Sequence, residues 1–382
     1  MHALTFGSVC SLLTLALAVP SHAADAKRET FGTLDDGAAI EAVTLTTDSG
    51  YTARVITLGG ILQSMSVPDR DGKAEDIVLG FDTAQGYLDN PSYMGATIGR
   101  FANRIGGASF ELDGTQYDID ANENGNTLHG GAEGWDKKVW TISKVKDGKT
   151  SASVTLAYTS PDGEMGYPGK VDAKVTYTLD EDGTLTIDHS AKTNKPTVIN
   201  MTNHSYFNLS GHDGMTPILS HELMIPADHY TPVSDDLIPT GELRAVDGTP
   251  FDFRTIKTIG EDIRSGDDEQ ITIALGFDHN FVVGPVEGDG VQLVATLVDE
   301  ASGRAMDVLT DKPAVQFYSG NFLDGTFAGK NDTIYRQGDA LCLEPQVYPD
   351  APNKPDFPSA RLNPGETYHH KMVLRFRTDA AN

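Results

Sequence analysis

Cysteine is almost missing from this chain: 382 residues hold two, Cys10 and Cys342. Once a leader is removed, as argued below, only Cys342 remains and no intramolecular disulfide can form. Stability must then come from the core, which 39% hydrophobic residues can supply. Basic residues are also scarce, 29 against 55 acidic, for a net charge of −26. That balance excludes nucleic acid, whose phosphates need Lys/Arg clusters. It also speaks against anionic membranes and, more weakly, against phosphorylated substrates; neutral ligands are unaffected. After the first two dozen residues no apolar run is long enough for a transmembrane helix. The eleven histidines include no H-x-x-x-H pair, no C-x-x-C occurs, and His369 and His370 point to opposite faces of one strand. No metal site is therefore expected. G-x-S-x-G, P-loop and dinucleotide motifs are missing, so nucleotide chemistry has no support. Long 3.6-residue apolar periods are missing too; only "IKTIGEDIRS" (256–265) predicts a short helix.

What is present is strand and turn. "VDAKVTYTL" (171–179) alternates apolar and polar residues, "DEDG" turns it, and "TLTIDHSA" (184–191) runs back. "SFELDGTQYDI" (109–119) and "TISKVKDGKTSASVTLAYT" (141–159) are hairpins around Asp113-Gly114 and Asp147-Gly148. "ATLVDEASGRAMDVLT" (295–310) and "YHHKMVLRF" (368–376) follow the same pattern. Many short antiparallel strands with glycine-rich turns, 39 glycines in all, predict an all-β sandwich or barrel. The Pro- and Asp-rich stretch 225–255 carries interspersed Tyr, Leu and Phe, so it is expected to be an ordered excursion rather than a linker. The chain is read as one domain, 25–382, behind a leader, 1–24. The leader consists of "LLTLALAV" (12–19) followed by the small residues "SHA" (21–23). It lacks a Lys or Arg before the apolar run, and Cys10 is poorly placed for lipid attachment. Four N-x-S/T sequons occur, at Asn200, Asn203, Asn208 and Asn331. Three fall in one polar motif that a glycan would block, which points to a bacterial periplasm.

That motif is "NMTNHSYFNLSG" (200–211). Read as a strand, it puts Asn200, Thr202, His204, Tyr206 and Asn208 on one face, and Met201, Asn203, Ser205, Phe207 and Leu209 on the other. In "ALCLEPQ" (340–346), Leu341 and Leu343 face one way and Cys342 and Glu344 the other, and Pro345 is expected to end the strand. A carboxylate so placed is partly desolvated, which raises its pKa toward the range of a useful base. Cys342 is expected to be a buried, poorly reactive thiol. In "PAVQFYSGNF" (313–322), Val315 and Phe317 pack one way while Ala314, Gln316 and Tyr318 face the other. His129 precedes two glycines that let backbone approach closely. Arg100, Asn103, Arg104, Asp278 and His279 complete the polar candidates. Taken singly, each of these polar candidates reads more readily as structural: a capped turn, a satisfied core histidine or a surface ion pair.

Seven stretches, in order, resemble the aldose 1-epimerase (galactose mutarotase) family. They are "GRFANRI", "LHGG…GWDKKVW", "NHSYFNLSG", "YTPVSDDLIPTGELRAVDGTPFDFR", "GFDHNF", "VQFYSGNFLDG" and "CLEPQVYPDAPN", and they cover most of residues 30–377. The resemblance implies a large antiparallel β-sandwich (galactose mutarotase-like supersandwich) acting on a free hexose such as glucose or galactose. It implies His204 as the acid and Glu344 as the base. Asn103, Arg104, His129, Tyr206, Asp278 and Gln316 would bind the sugar, and no cofactor or metal would be needed. The family commonly has Thr where this chain has Pro345. Opening a hemiacetal requires one group to take the C1 hydroxyl proton and another to protonate the ring oxygen, and a carboxylate and an imidazolium suffice. Reference pKa values of about 4.3 and about 6.5 would then set the acid limb by Glu344 and the alkaline limb by His204. Two other classes fit parts of the pattern. A non-catalytic carbohydrate-binding sandwich would share the polar residues but not require the acid–base pair. An epimerase of phosphorylated hexoses would need more basic residues.

Overall fold

The computed structural model describes residues 24–378, apart from 91, 214, 215, 287 and 289. The apolar run at 12–19 and Cys10 lie outside the described residues. Three antiparallel sheets hold most of the strand residues. The first holds Asp25–Thr33, Ala39–Thr46, Thr52–Ile56, Leu62–Pro68 and Ala74–Asp76 in chain order. The largest has nine strands; Val171–Asp180 pairs with Thr184–Thr193 at the turn read from sequence, and Tyr368–Arg377 bridges Thr184–Thr193 to Arg304–Thr310. The third has five strands, in the order Arg244–Ala245, His229–Thr231, Asp278–Val282, Ala314–Tyr318 and Cys342–Gln346. Inward side chains of all three meet in one core, with Leu45 and Met65 from the first, Tyr177, Ile187 and Leu374 from the second, and Phe281, Phe317 and Leu343 from the third. The all-β sandwich expectation holds, and its cause is visible in the alternation. Along Val171–Asp180 every odd residue is buried, and Asp172 and Lys174 are exposed.

Local turn chemistry is equally direct. Asp113 and Gly114 have φ of 54° and 75°, the left-handed pair that a two-residue hairpin turn requires. The hairpins Ser109–Leu112/Thr115–Asp118 and Thr141–Lys146/Ser151–Ser160 form where expected. The stretch 225–255 is ordered and contributes two strands to the third sheet.

Three expectations need correction. Residues 256–265 are not a helix; they form a short strand, Lys257–Thr258, and a 3-10 turn, Ile259–Glu261. Ile259 and Ile263 are buried at helical spacing, but a Cβ on Gly260 would stand 2.7 Å from the Leu219 carbonyl. That close approach holds the segment against its neighbour without a continuing helix. The α-helices among the described residues are Ala84–Asp89, capped by Thr83, and Glu269–Ala274, capped by Asp268. Pro345 does not end its strand either. Cys342–Gln346 is the edge of its sheet, where a missing N–H costs no ladder bond, and the Pro345 carbonyl accepts from the Thr202 hydroxyl at 2.9 Å.

The third correction concerns the polar motif. Only Thr202–Asn203 is strand, paired with Thr97–Ile98. Elsewhere its side chains replace ladder bonds. Asn200 donates to the Ala102 and Val347 carbonyls and accepts from the Val347 N–H. Asn203 donates to the Gly95 carbonyl and the Tyr177 hydroxyl and accepts from Ser205. Asn208 donates to the Thr216 and Asp339 carbonyls. Of the five residues assigned to the polar face, His204 and Tyr206 alone line the cavity described next. The others satisfy irregular buried backbone, which would otherwise be left unpaired.

Candidate active site

The third sheet supplies the floor. Its register aligns Asn280 with Gln316 and Gln316 with Glu344, and Asp278 with Tyr318 and Tyr318 with Cys342. Asp278, Gln316, Tyr318, Cys342 and Glu344 therefore share one face, while Phe281, Val315, Phe317 and Leu343 turn into the core. Over that face opens a cavity of about 400 Å³ lined by, among others, Asn103, Arg104, His129, His204, Tyr206, Asp278 and Glu344. Seven of the eight residues assigned from sequence thus converge. The eighth, Gln316, sits behind Asp278 and donates to its carboxylate at 2.7 Å.

His204 Nε2 and Glu344 Oε1 stand 3.7 Å apart, and both side chains are buried. Cys342, also fully buried, places its sulfur 3.5 Å from His204 Nδ1. The imidazole is caged by the rings of His129, Tyr206, Tyr93 and Tyr318, at centroid distances of 4.9, 5.2, 6.0 and 6.4 Å. That enclosure removes water, and burial pushes the His204 pKa down to about 4. Burial, reinforced by the negative charge of Asp278 and opposed by Arg104, holds the Glu344 carboxyl well above its usual range. Burial thus favours the uncharged form of each member of the pair, the protonated carboxyl and the neutral imidazole.

Asn103 and His129 lock each other in place. The Asn103 N–H donates to His129 Nδ1 at 3.2 Å, and the His129 N–H donates to the Asn103 carbonyl at 3.0 Å. His129 therefore carries its proton on Nε2; burial and then the neighbouring His204 and Arg104 hold its pKa well below the usual value. Both residues have left-handed backbone, φ 62° and 51°. The following Gly130 is obligatory for the loop, since a Cβ there would stand 2.2 Å from the Gly99 carbonyl. Arg104 is held by a two-pronged ion pair with Glu123, at 2.5 and 2.8 Å, and lies 3.9 Å from Asp278. Burial works against its charge, and the two carboxylates outweigh that. Arg100 and His279 take no part: Arg100 is bound to Ser160 and to the Pro161 and Pro168 carbonyls, and His279 to Gln270.

The aldose 1-epimerase family model matches residues 41–375. The chain belongs to the aldose 1-epimerase family. It is accordingly an isomerase that interconverts hexose anomers. It is 43% identical to the galactose mutarotase of Rattus norvegicus over 91% of this chain and 98% of that one. The aldose 1-epimerase of Escherichia coli strain K12 is 37% identical over the same shares. Among solved structures, the aldose epimerase homologue from C. elegans superposes with a TM-score of 0.79 at 32% identity, covering 87% of this chain and 97% of that one. The galactose 1-epimerase of Lactobacillus acidophilus NCFM gives 0.81 at 27% identity, covering 93% and 99%.

This member of the family also lines its site with residues that sequence reasoning missed. Tyr93 carries φ 58° and sets its ring 4.6 Å from that of His129. Glu123 comes from "DANENGN" (120–126), which reads as a solvated acidic loop. Phe322, half exposed, and Phe327 stand at the rim. No local pattern marks Tyr93, whereas an aromatic left exposed beside a floor strand could have flagged Phe322.

Proposed function

We propose that Glu344 and His204 are the proton carriers of anomer interconversion. The observation that carries this reading is the buried pair at 3.7 Å, because the two oxygens it must serve sit on one carbon, less than a hydrogen-bond length apart. Ionised Glu344 takes the O1 proton. The C1–O5 bond breaks with its electron pair going to O5, which takes the Nε2 proton of His204. The open-chain aldehyde then faces a protonated carboxyl and a neutral imidazole. Rotation about C1–C2 presents the other carbonyl face, and the two protons return as the ring closes. Burial favours the neutral pair, and the neutral pair accompanies the open chain, so desolvation offsets part of the cost of ring opening. Asn103, Arg104, His129, Tyr206 and Asp278 would hold the sugar hydroxyls, with Gln316 orienting Asp278. Neutral hexoses, glucose and galactose among them, fit this wall. Its single arginine is already paired, which leaves nothing for a phosphate.

The pH profile tests the pair. Only the state carrying one proton between the two residues is active, and the limbs belong to the pair. The acid limb reports a second proton reaching His204, near pH 4. The alkaline limb reports loss of the proton held by Glu344, above the usual carboxylate range. The limbs are thus exchanged relative to the reading from reference values. Polarimetry on fresh α-glucose and α-galactose, corrected for spontaneous mutarotation, should give kcat/KM that is flat through neutrality. An acid limb near 6.5, the ordinary histidine value, would refute the desolvated pair.

We also propose that residues 1–24 are an export leader, that 25–382 form one domain, and that the protein works in the periplasm. The apolar run followed by "SHA" supports this, and the family match begins downstream, at residue 41. Intact mass of the periplasmic protein should place its first residue near Ala24; a full-length cytoplasmic species would contradict export.

A further inference from the structure

His204 needs more than proximity to Glu344. To hand a proton from Nε2 to a ring oxygen and take it back, the neutral imidazole must keep its other proton on Nδ1. Nδ1–H inside a cage of rings needs an acceptor, or it is a buried orphan. Beyond the backbone of His204 itself, the partner of Nδ1 among the described residues is the sulfur of Cys342, at 3.5 Å. We propose that Cys342 is a positioning residue: its sulfur accepts the Nδ1–H of His204 and holds the imidazole in the tautomer whose free Nε2 faces Glu344 and the cavity.

The direction of that bond follows from the other side of the ring. Nε2 faces Glu344 at 3.7 Å, and burial shifts that carboxyl toward its protonated form, so the tautomer that presents a bare Nε2 to it carries its hydrogen on Nδ1, toward the sulfur. Cys342 stays a thiol: burial, then the charges of Glu344 and Asp278, push its pKa well above the usual value. A neutral sulfur is a weak acceptor. Carboxylate partners behind an imidazole orient it and raise its basicity; sulfur orients it without that gain. His204 can then be fixed in place and still be a strong acid. The titratable groups around it are Glu344 and Cys342 on one strand, Tyr318 on the next, Tyr206 on its own segment, and His129 and Tyr93 from two loops; none puts a fixed negative charge at Nδ1.

The proposal rests on His204 being the acid, and the test separates the two. Protein labelled with ¹⁵N-histidine is examined by long-range ¹H–¹⁵N correlation at pH 7, with His204 assigned by its loss in His204→Asn. The wild-type signal should show protonated Nδ1 and bare Nε2. Cys342→Ala should move the proton to Nε2 and lower kcat about tenfold or more, part of the 10²–10⁴ that a positioned acid supplies, with KM near wild type. Cys342→Ser keeps an acceptor and should retain the tautomer and lose less. A protonated Nε2 in the wild-type protein overturns the role of Cys342 whatever the variants do. Unchanged tautomer and kcat in Cys342→Ala overturn it as well. Full activity in His204→Asn overturns instead the acid assignment beneath it.

Discussion

Glu344→Gln is expected to lower kcat by about 10²–10⁴-fold, the usual worth of a positioned proton carrier, while KM moves far less. Gln keeps the size and hydrogen-bonding capacity of Glu344 and removes only proton transfer. His204→Asn should do the same at the ring oxygen. The two act in one cycle, since every opening uses both and every closure returns both protons. The double variant should therefore be little worse than either single one, as for other groups that act as a unit. Polarimetric kinetics on the three proteins at neutral pH measure this. Either single variant retaining more than about a tenth of wild-type turnover would show that its residue is not the carrier. If both do, a carbohydrate-binding site without catalysis explains the pocket better.

Acid should destabilise the fold strongly, because its buried histidines are held neutral. Outside the site these are His189 and His279, held down to about 3, His221, held down to about 4, and His370, held well below its usual value, each chiefly by burial. His189 and His370 stack across neighbouring strands at 5.1 Å, and neither ring nitrogen of His189 has a partner. A folded pKa below the unfolded value means that unfolding takes up protons. The stability from these groups is complete above about pH 6.5 and is lost as pH falls toward 3–4. At pH 5 His189, His279 and His221 have each lost about 2 kcal/mol, together a large part of the stability of a typical domain, and His370 acts in the same direction. Asp136, which burial raises to about 6, works the other way, as do the raised carboxyls of Glu344 and Asp278; these gain stability on acidification and offset part of the histidine loss. Melting temperature should therefore fall steeply between pH 7 and 5. His189→Leu should flatten that slope by about one proton and be neutral or stabilising at pH 7, because an unpartnered imidazole is replaced by an apolar side chain. A Tm independent of pH over that range would show that these rings are not desolvated in the fold.

Much of the site could be read from strand parity. Leu341 and Leu343 against Cys342 and Glu344, and Val315 and Phe317 against Gln316 and Tyr318, divide between the core face and the cavity-side face of the sheet as their alternation requires. The parity argument failed at 200–211 because it presumes a continuous ladder, and that segment has only the two-residue strand Thr202–Asn203 and isolated bridges at Asn200 and Phe207. There the asparagines that looked like sugar contacts spend their hydrogen bonds on the backbone of residues up to 147 positions away.

The sequence by itself determined the strands, the hairpin turns, the all-β class and the face on which Glu344 and Cys342 lie. These follow from covalent geometry: side chains alternate every residue, and Asp-Gly admits left-handed backbone wherever it occurs. Only the tertiary structure decided which polar residues face the cavity, that Glu123 occupies Arg104, and that Tyr93 closes over His129. It also decided how strongly the His204–Glu344 pair is desolvated. Desolvation sums over every neighbour that displaces water, and the group at His204 Nδ1 comes from 138 residues further along the chain. No local pattern encodes that sum, so the sequence offers the imidazole and the carboxylate while the packed fold sets their surroundings.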